Sequence, residues 1–240
     1  MATGEPKAAD GIVEMMRALR VARRSAVKAR TQAANQLRAL QFTAPEELKR
    51  ELGGLPTNRL VSVAARFRPG TRPRSLVTAT KLAMRSVARR HLLLSEEISD
   101  LDERLERLAA EAAPALVALK GVGTDTAVSL LIAAGDNPER LRSEAAFAHL
   151  CGVAPIQASS GKTVRHRLNR GGNRDANRAL HMLALGRMSW DERTREYVAR
   201  RTAEGKSKRE ILRCLKRYVA REVYRILRAP GTLPSSVSVP

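Results

Sequence analysis

The sequence predicts a mainly α protein: long antiparallel heptad helices followed by a compact helical domain. Three observations carry this. Apolar residues recur at alternating steps of three and four along two long stretches. Aromatic residues make up only 3 % of the 240 residues, which disfavours a β-sandwich or barrel. The apolar fraction is 43 %, enough for a buried core and too high for wholesale disorder.

The first stretch, 8–41, has no Gly or Pro after Gly11. Its seam runs through Ile12, Met15, Leu19, Ala22, Ala26, Ala29, Ala33, Gln36 and Leu40, apolar except at Gln36. Arg17, Arg20, Arg23, Arg24, Lys28, Arg30 and Arg38 cover the other faces. The second stretch, 76–119, steps through Met84, Val87, His91, Leu94, Ile98, Leu101, Leu105, Leu108, Ala112 and Ala115. Residues 42–75 form an elbow between them. There Thr43 and Glu46 read as a capping box, Gly53-Gly54 ends a short helix, and Thr57 caps another that stops before Pro69-Gly70. The two heptad helices can close on each other or pair with a second subunit, and spacing alone does not choose. The expectation is a homo-oligomer through the coiled coil, with residues 1–112 as one region.

At Pro114 the composition changes and the compact domain, 113–228, begins. It reads as helix, Gly121-Val122-Gly123, helix, then a short helix begun by Ser143 and ended by Gly152. A polar basic stretch follows, with a small β-hairpin expected within 153–168 and Thr163 to Arg167 as one strand. Asn173 starts a helix to about Ser189. Lys206 to Leu227 is amphipathic, with Ile211, Leu215, Tyr218, Val219, Val223 and Ile226 as its apolar face. Residues 229–240 read as a disordered tail.

Lys and Arg number 44 against 24 Asp and Glu, a net charge of +20. Such a chain welcomes a polyanion, and nucleic acid is the commonest. Charge alone does not separate a chromatin protein from a nuclease. No apolar run reaches about 18 residues, so no membrane partner is expected. The first ten residues lack the apolar core of a signal peptide. The expected location is the cytoplasm. Two cysteines, Cys151 and Cys214, are too few for a disulfide framework and show no metal spacing.

Lys120-Gly-Val-Gly-Thr-Asp-Thr-Ala127 matches a helix-hairpin-helix. Gly121 and Gly123 permit a tight turn, and the amides at Thr124 open a helix whose positive end can grip a phosphate. The same turn also serves simply to pack two core helices, and both uses can hold. Downstream, Ser159 and Ser160 precede Gly161 in a stretch rich in Lys162, Arg165, His166, Arg167, Arg170 and Arg174, with no acid between Glu144 and Asp175. A turn hydroxyl there can attack phosphorus while guanidinium groups stabilise the charge that develops. By residue chemistry alone an ordinary basic loop is the commoner explanation, because Ser-Ser-Gly is common in turns. Gly-Lys-Thr is no P-loop here, since Ile156 occupies the place of the required glycine. His149, His166 and His181 show no ligand spacing, and Cys151 beside Leu150 reads as a small buried residue. The acids between Glu96 and Glu103 read as a solvated helix face.

Four motifs in order carry a resemblance: Leu116-x-x-Leu-x-Gly-Val-Gly-x-x-Thr-Ala127, then Gly135-Asp136 with Arg140, then Ala148-x-Leu-Cys-Gly-Val-Ala-Pro-x-x-x-Ser-Ser-Gly-Lys162, then Asn169-Arg-Gly-Gly-Asn-Arg-x-x-Asn-Arg-Ala-Leu180. Residues 116–190 resemble the C-terminal domain of insertion-sequence-110-type transposases, and the heptad region resembles that family's coiled coil. The resemblance implies DNA as partner, a structured guide RNA in many members, and a serine that attacks DNA to form a covalent phosphoserine link. That serine falls on Ser160 or Ser159, with Ser160 preferred for the glycine that follows. Gly121, Gly123, Thr124, Lys162, Arg165, Arg167, Arg170, Asn173 and Arg174 are the expected nucleic-acid contacts. It also implies an N-terminal RuvC-like domain whose four acids hold Mg²⁺. No strand-rich, acid-bearing segment precedes the heptads, so the expectation is a truncated form with no metal or cofactor of its own. The alternatives are a catalytically inactive DNA- or RNA-binding remnant and a coiled-coil adaptor.

Overall fold

The computed structural model describes residues 7, 11–137, 140–157, 166–167, 169 and 171–229. Their fold is mainly α, as expected. Contacts divide the chain into two units, one of 19–104 and one of 105–240 together with 1–18.

The 19–104 unit, called here the elbow unit, contains most of α1 (Ile12–Phe42), α2 (Glu46–Leu52), α3 (Thr57–Ala65) and most of α4 (Leu76–Ala112). The two long helices run antiparallel within one chain: Arg23 pairs with Asp102, and Arg90 Nη2 donates to Gln36 Oε1 at 2.9 Å. Leu37, Leu48, Leu52, Leu60, Met84 and Ala88 fill the core beneath the elbow.

The seam on α1 departs from the expected row. The buried positions are Ile12, Val13, Met16, Arg20, Ala26, Ala33 and Leu37, while Met15 is 53 % exposed and Gln36 faces solvent. Neighbouring residues lie only about 100° apart on a helix, so two adjacent rows satisfy the same spacing where both are apolar. The row on α4 holds better, at Met84, Ile98, Leu101, Leu105 and Ala112.

Neither threonine of the elbow caps its helix as expected. Pro45 and Pro56 occupy the two N-cap positions, without side-chain bonds. Thr43 Oγ1 instead donates back to Ala39 O at 3.0 Å, because α1 runs on to Phe42. Thr57 Oγ1 accepts from Arg38 Nη2 at 3.0 Å. Arg38 and Gln41 also bind the carbonyls of Leu55 (2.8 Å) and Leu52 (2.6 Å), so Arg38, expected on an outer face, joins Gln41 in clamping the turn between α2 and α3.

The expected helix over 76–119 stops at Ala112. Pro114 lacks an N–H and pushes the residue before it out of the helical region, and Ala113 sits at φ −152°, ψ 69°. The chain restarts as α5 (Pro114–Val117).

The second unit continues with α6 (Thr124–Ala134), α7 (Glu144–Leu150), β1 (Ile156–Gln157), β2 (His166–Arg167), α8 (Arg174–Trp190), α9 (Glu192–Ala203) and α10 (Lys208–Leu227). α6 packs on α8, and α8 on α9 and α10. The start of α1 joins this unit through Asp136, whose carboxylate accepts from Val13 N–H at 2.8 Å. A side chain at Gly11 would strike that carboxylate. Ser143 caps α7 and Asn173 caps α8, as expected.

α10 begins two residues later than expected, behind a Ser207–Glu210 capping box. Its buried face includes Lys216, Ala220 and Leu227, whereas Tyr218 is 50 % exposed. α9 is unforeseen. Its apolar residues are few, but Asp191 caps it, accepting from Thr194 N–H at 2.9 Å. Of the expected tail at 229–240 only Ala229 is described. Among the described residues no helix is long and apolar enough to cross a membrane.

Candidate nucleic-acid interface

The hairpin before α6 is built by glycine and one buried valine. Val122 N–H bonds to Leu119 O at 2.9 Å, and Val122 is buried. Gly121 sits at φ +88°. A Cβ there would lie 3.0 Å from Leu183 and 3.1 Å from Trp190, so this turn admits glycine alone without strain. Lys120 Nζ stands 4.5 Å from the centre of the Trp190 ring. Gly123 is the N-cap of α6 and has nothing within 4 Å of where a Cβ would project. Ala127 makes the first helical bond, back to Gly123 O at 3.0 Å, so the amides between them lie outside the helix ladder. Asp125 stands in this first turn, 3.9 Å from Arg178 of α8.

The basic stretch starts and ends at one place. Gly152 and Gly172 both have positive φ and lie backbone to backbone. A Cβ on Gly172 would come within 2.6 Å of Gly152 N, 2.7 Å of Leu150 O and 2.8 Å of His149 O. Asn173 N–H donates to Leu150 O at 2.6 Å, while its side chain accepts from Asp175 and Ala176 N–H, each at 3.0 Å. Asn177 Nδ2 donates to both Cys151 O and Gly152 O, each at 3.0 Å. Farther out, β1 and β2 pair antiparallel, Ile156 with Arg167 and Gln157 with His166. This is the small hairpin expected within 153–168.

Of the expected site residues, Gly121, Gly123 and Thr124 share the α6 hairpin, and Asn173 and Arg174 open α8. Arg167 lies on β2. Ser159, Ser160, Lys162, Arg165 and Arg170 lie outside the described residues.

A cleft of about 680 Å³ opens beside the paired strands. Gly152 to Pro155, Arg167 and Asn169 form one wall, and Lys206 with the stretch of α10 from Glu210 to Arg221 forms the other. Lys216 and Asn177 meet here, Nζ to Oδ1 at 3.1 Å. Arg217 and Arg221 are both held by Glu144, Arg221 at 3.0 Å. These two arginines hold the Glu144 carboxyl below its ordinary range, against the opposing effect of desolvation. Cys151 is fully buried, and desolvation pushes its thiol up to about 12. It is no nucleophile at neutral pH.

The described parts of the first, third and fourth motifs meet at α8, which packs on α6 and binds the turn after α7 through Asn173 and Asn177. The description that matches residues 113–199 is "Transposase IS116/IS110/IS902 family". Residues 113–199 are a transposase domain of that family. Over 116 residues the chain is 34 % identical to a curated relative, the insertion element IS110 uncharacterized 43.6 kDa protein of Streptomyces coelicolor. The alignment covers 48 % of this chain and 28 % of that relative. The transposase domain spans both the Gly121 hairpin and the glycine contact, and it ends before α10.

Sequence reasoning missed Asn177, Trp190 and Lys216. Asn177 lies within the Asn-Arg-Gly-Gly-Asn-Arg-x-x-Asn motif, whose spacing is the signal for it. Lys216 interrupts the apolar face of α10 directly after Leu215, and a cation on a buried face is itself a signal.

Proposed function

We propose that the transposase domain acts on DNA in the transposition of an insertion sequence. The α6 hairpin holds the DNA backbone, and Ser160, with Ser159 second, is the nucleophile. The hydroxyl oxygen attacks phosphorus, the strand's P–O bond breaks, and the departing oxygen takes up a proton, leaving a phosphoserine. Lys162, Arg165, Arg167 and Arg170 stabilise charge on the phosphoryl oxygens. The observation that carries this reading is the family match over 113–199, which takes in the hairpin and the serine pair together.

Among the described residues no group of three or more His, Cys, Asp or Glu is placed to hold a metal ion. No step here runs through Mg²⁺, which the family resemblance assigns to an RuvC-like domain. A structured guide RNA and self-association through the coiled coil belong to the same reading.

The test supplies an RuvC-like domain from an intact relative, with its RNA, and looks for protein covalently attached to nicked DNA. The adduct forms with the parent chain and is lost in Ser160→Ala. Persistence there with loss in Ser159→Ala moves the role by one residue. Persistence in both removes this loop from the reaction. Binding itself weakens steeply toward about 0.5 M salt, by roughly 0.9 in log K per tenfold salt for each phosphate neutralised.

A further inference from the structure

We propose that the cleft between the Gly152–Pro155 turn and α10 seats an unpaired DNA strand, with the Lys216 ammonium at its floor against one phosphate and the Tyr218 ring as the platform for a base. This deepens the DNA reading above and rests on it. α10 lies outside the family match, so the site joins the transposase domain to a helix that the match does not include.

Lys216 is the decisive residue. It is only 7 % exposed, and its ammonium donates to Asn177 Oδ1 at 3.1 Å. Asn177 in turn is fixed by the carbonyls of Cys151 and Gly152, so the ammonium is held at the turn that walls the cleft. Among the described residues no carboxylate is paired with it. The charged neighbour that acts on it is another cation, Arg213. Burial first, and Arg213 second, hold Lys216 below the usual lysine range. A buried ammonium beside a guanidinium is costly without an anion, and an entering phosphate removes that cost.

The rest of the wall has matching chemistry. Arg167, Lys206 and Arg213 line the same cleft. Glu210 also lines it but is bound to Ser207, at 2.9 Å to N–H and 2.7 Å to the hydroxyl. Tyr218 lines the cleft, half exposed and braced edge-on by Tyr197 with ring centres 5.6 Å apart. A positive groove carrying an exposed aromatic ring is the pattern that holds single strands, with cations on the backbone and the ring under a base. A volume of about 680 Å³ falls in the range of small-ligand pockets, roughly 300–1,000 Å³. That suits one or two nucleotides of a strand.

The experiment measures binding of the full chain to labelled oligothymidylate of about ten nucleotides and to a duplex of equal length. Lys216→Met weakens oligothymidylate about tenfold or more and leaves the melting temperature unchanged or raised, since it removes an uncompensated buried charge. Lys216→Arg keeps most of the binding. Tyr218→Ala weakens oligothymidylate about tenfold and the duplex much less. Arg74→Gln, on the elbow unit, changes either by less than about twofold. Equal losses on strand and duplex in Tyr218→Ala overturn the single-strand assignment. Tighter binding of oligouridylate than oligothymidylate overturns the choice of DNA. Duplex binding that is strong and salt-sensitive, with all cleft variants neutral, overturns the cleft and spares the DNA reading. No binding of either probe overturns both.

Discussion

The elbow unit and the transposase domain are both helical, yet different things hold them. In the elbow unit the buried positions repeat: Ala26, Ala33 and Leu37 recur along α1, and Met84, Ala88 and Ile98 along α4. Each is one of many similar contacts, so the loss at any one is bounded. In the domain the chain is pinned by contacts that occur once. Gly152 meets Gly172, Asn177 ties both sides of the turn, and Asn173 caps α8. A repeated seam tolerates change by degrees, whereas a unique contact fails at a single position.

The sharpest way to break the comparison is Gly172→Ala. Left-handed strain and backbone overlap together cost about 4 kcal/mol, read from the lowered midpoint of urea unfolding. A variant as stable as the parent would mean that Gly152 and Gly172 do not touch. Leu37→Ala, in the seam, costs about 3 kcal/mol by the same measurement. Gln36→Ala, one residue away, stays within about 0.5 kcal/mol. The reverse order would restore the seam row read from spacing. Asn173→Ala removes the cap of α8 and costs about 1 kcal/mol. At neutral pH the smallest effect belongs to Cys151. Its thiol titrates near 9.0 when exposed and is pushed up to about 12 when buried. The unfolded chain therefore releases this proton first, and stability falls as pH rises between those values. Cys151→Ala flattens that alkaline slope, which denaturation at several pH values measures.

The helices were readable from sequence because an apolar face imposes a 3.6-residue period whatever it packs against. The spacing did not choose between Met15 and Met16, since both fit and only the opposing surface decides. Caps were readable where the side chain closes on its own backbone, as at Ser143 and Asn173. They were not at Thr43, where the preceding helix claims the hydroxyl. Asp136 reaches Val13 across more than a hundred residues, and no local pattern announces that. At the candidate site, glycine spacing marked the hairpin before α6 but not the Gly152–Gly172 contact, and the serines, which rest on family resemblance, lie outside the described residues. Lys216 was missed and Tyr218 misassigned because a helical face was read as uniformly apolar, although a cleft along α10 draws one polar residue inward and leaves one ring outside.

Trp190 is the only tryptophan in the chain, and it lies against Gly121 with the Lys120 ammonium over its ring. The hairpin thus carries its own optical reporter. Excitation in the red edge of the protein's absorption selects this indole over the three tyrosines. Its emission responds to whatever draws Lys120 away from the ring. An anion arriving at the hairpin competes with the indole for that ammonium, so arrival changes the light without any label having been added.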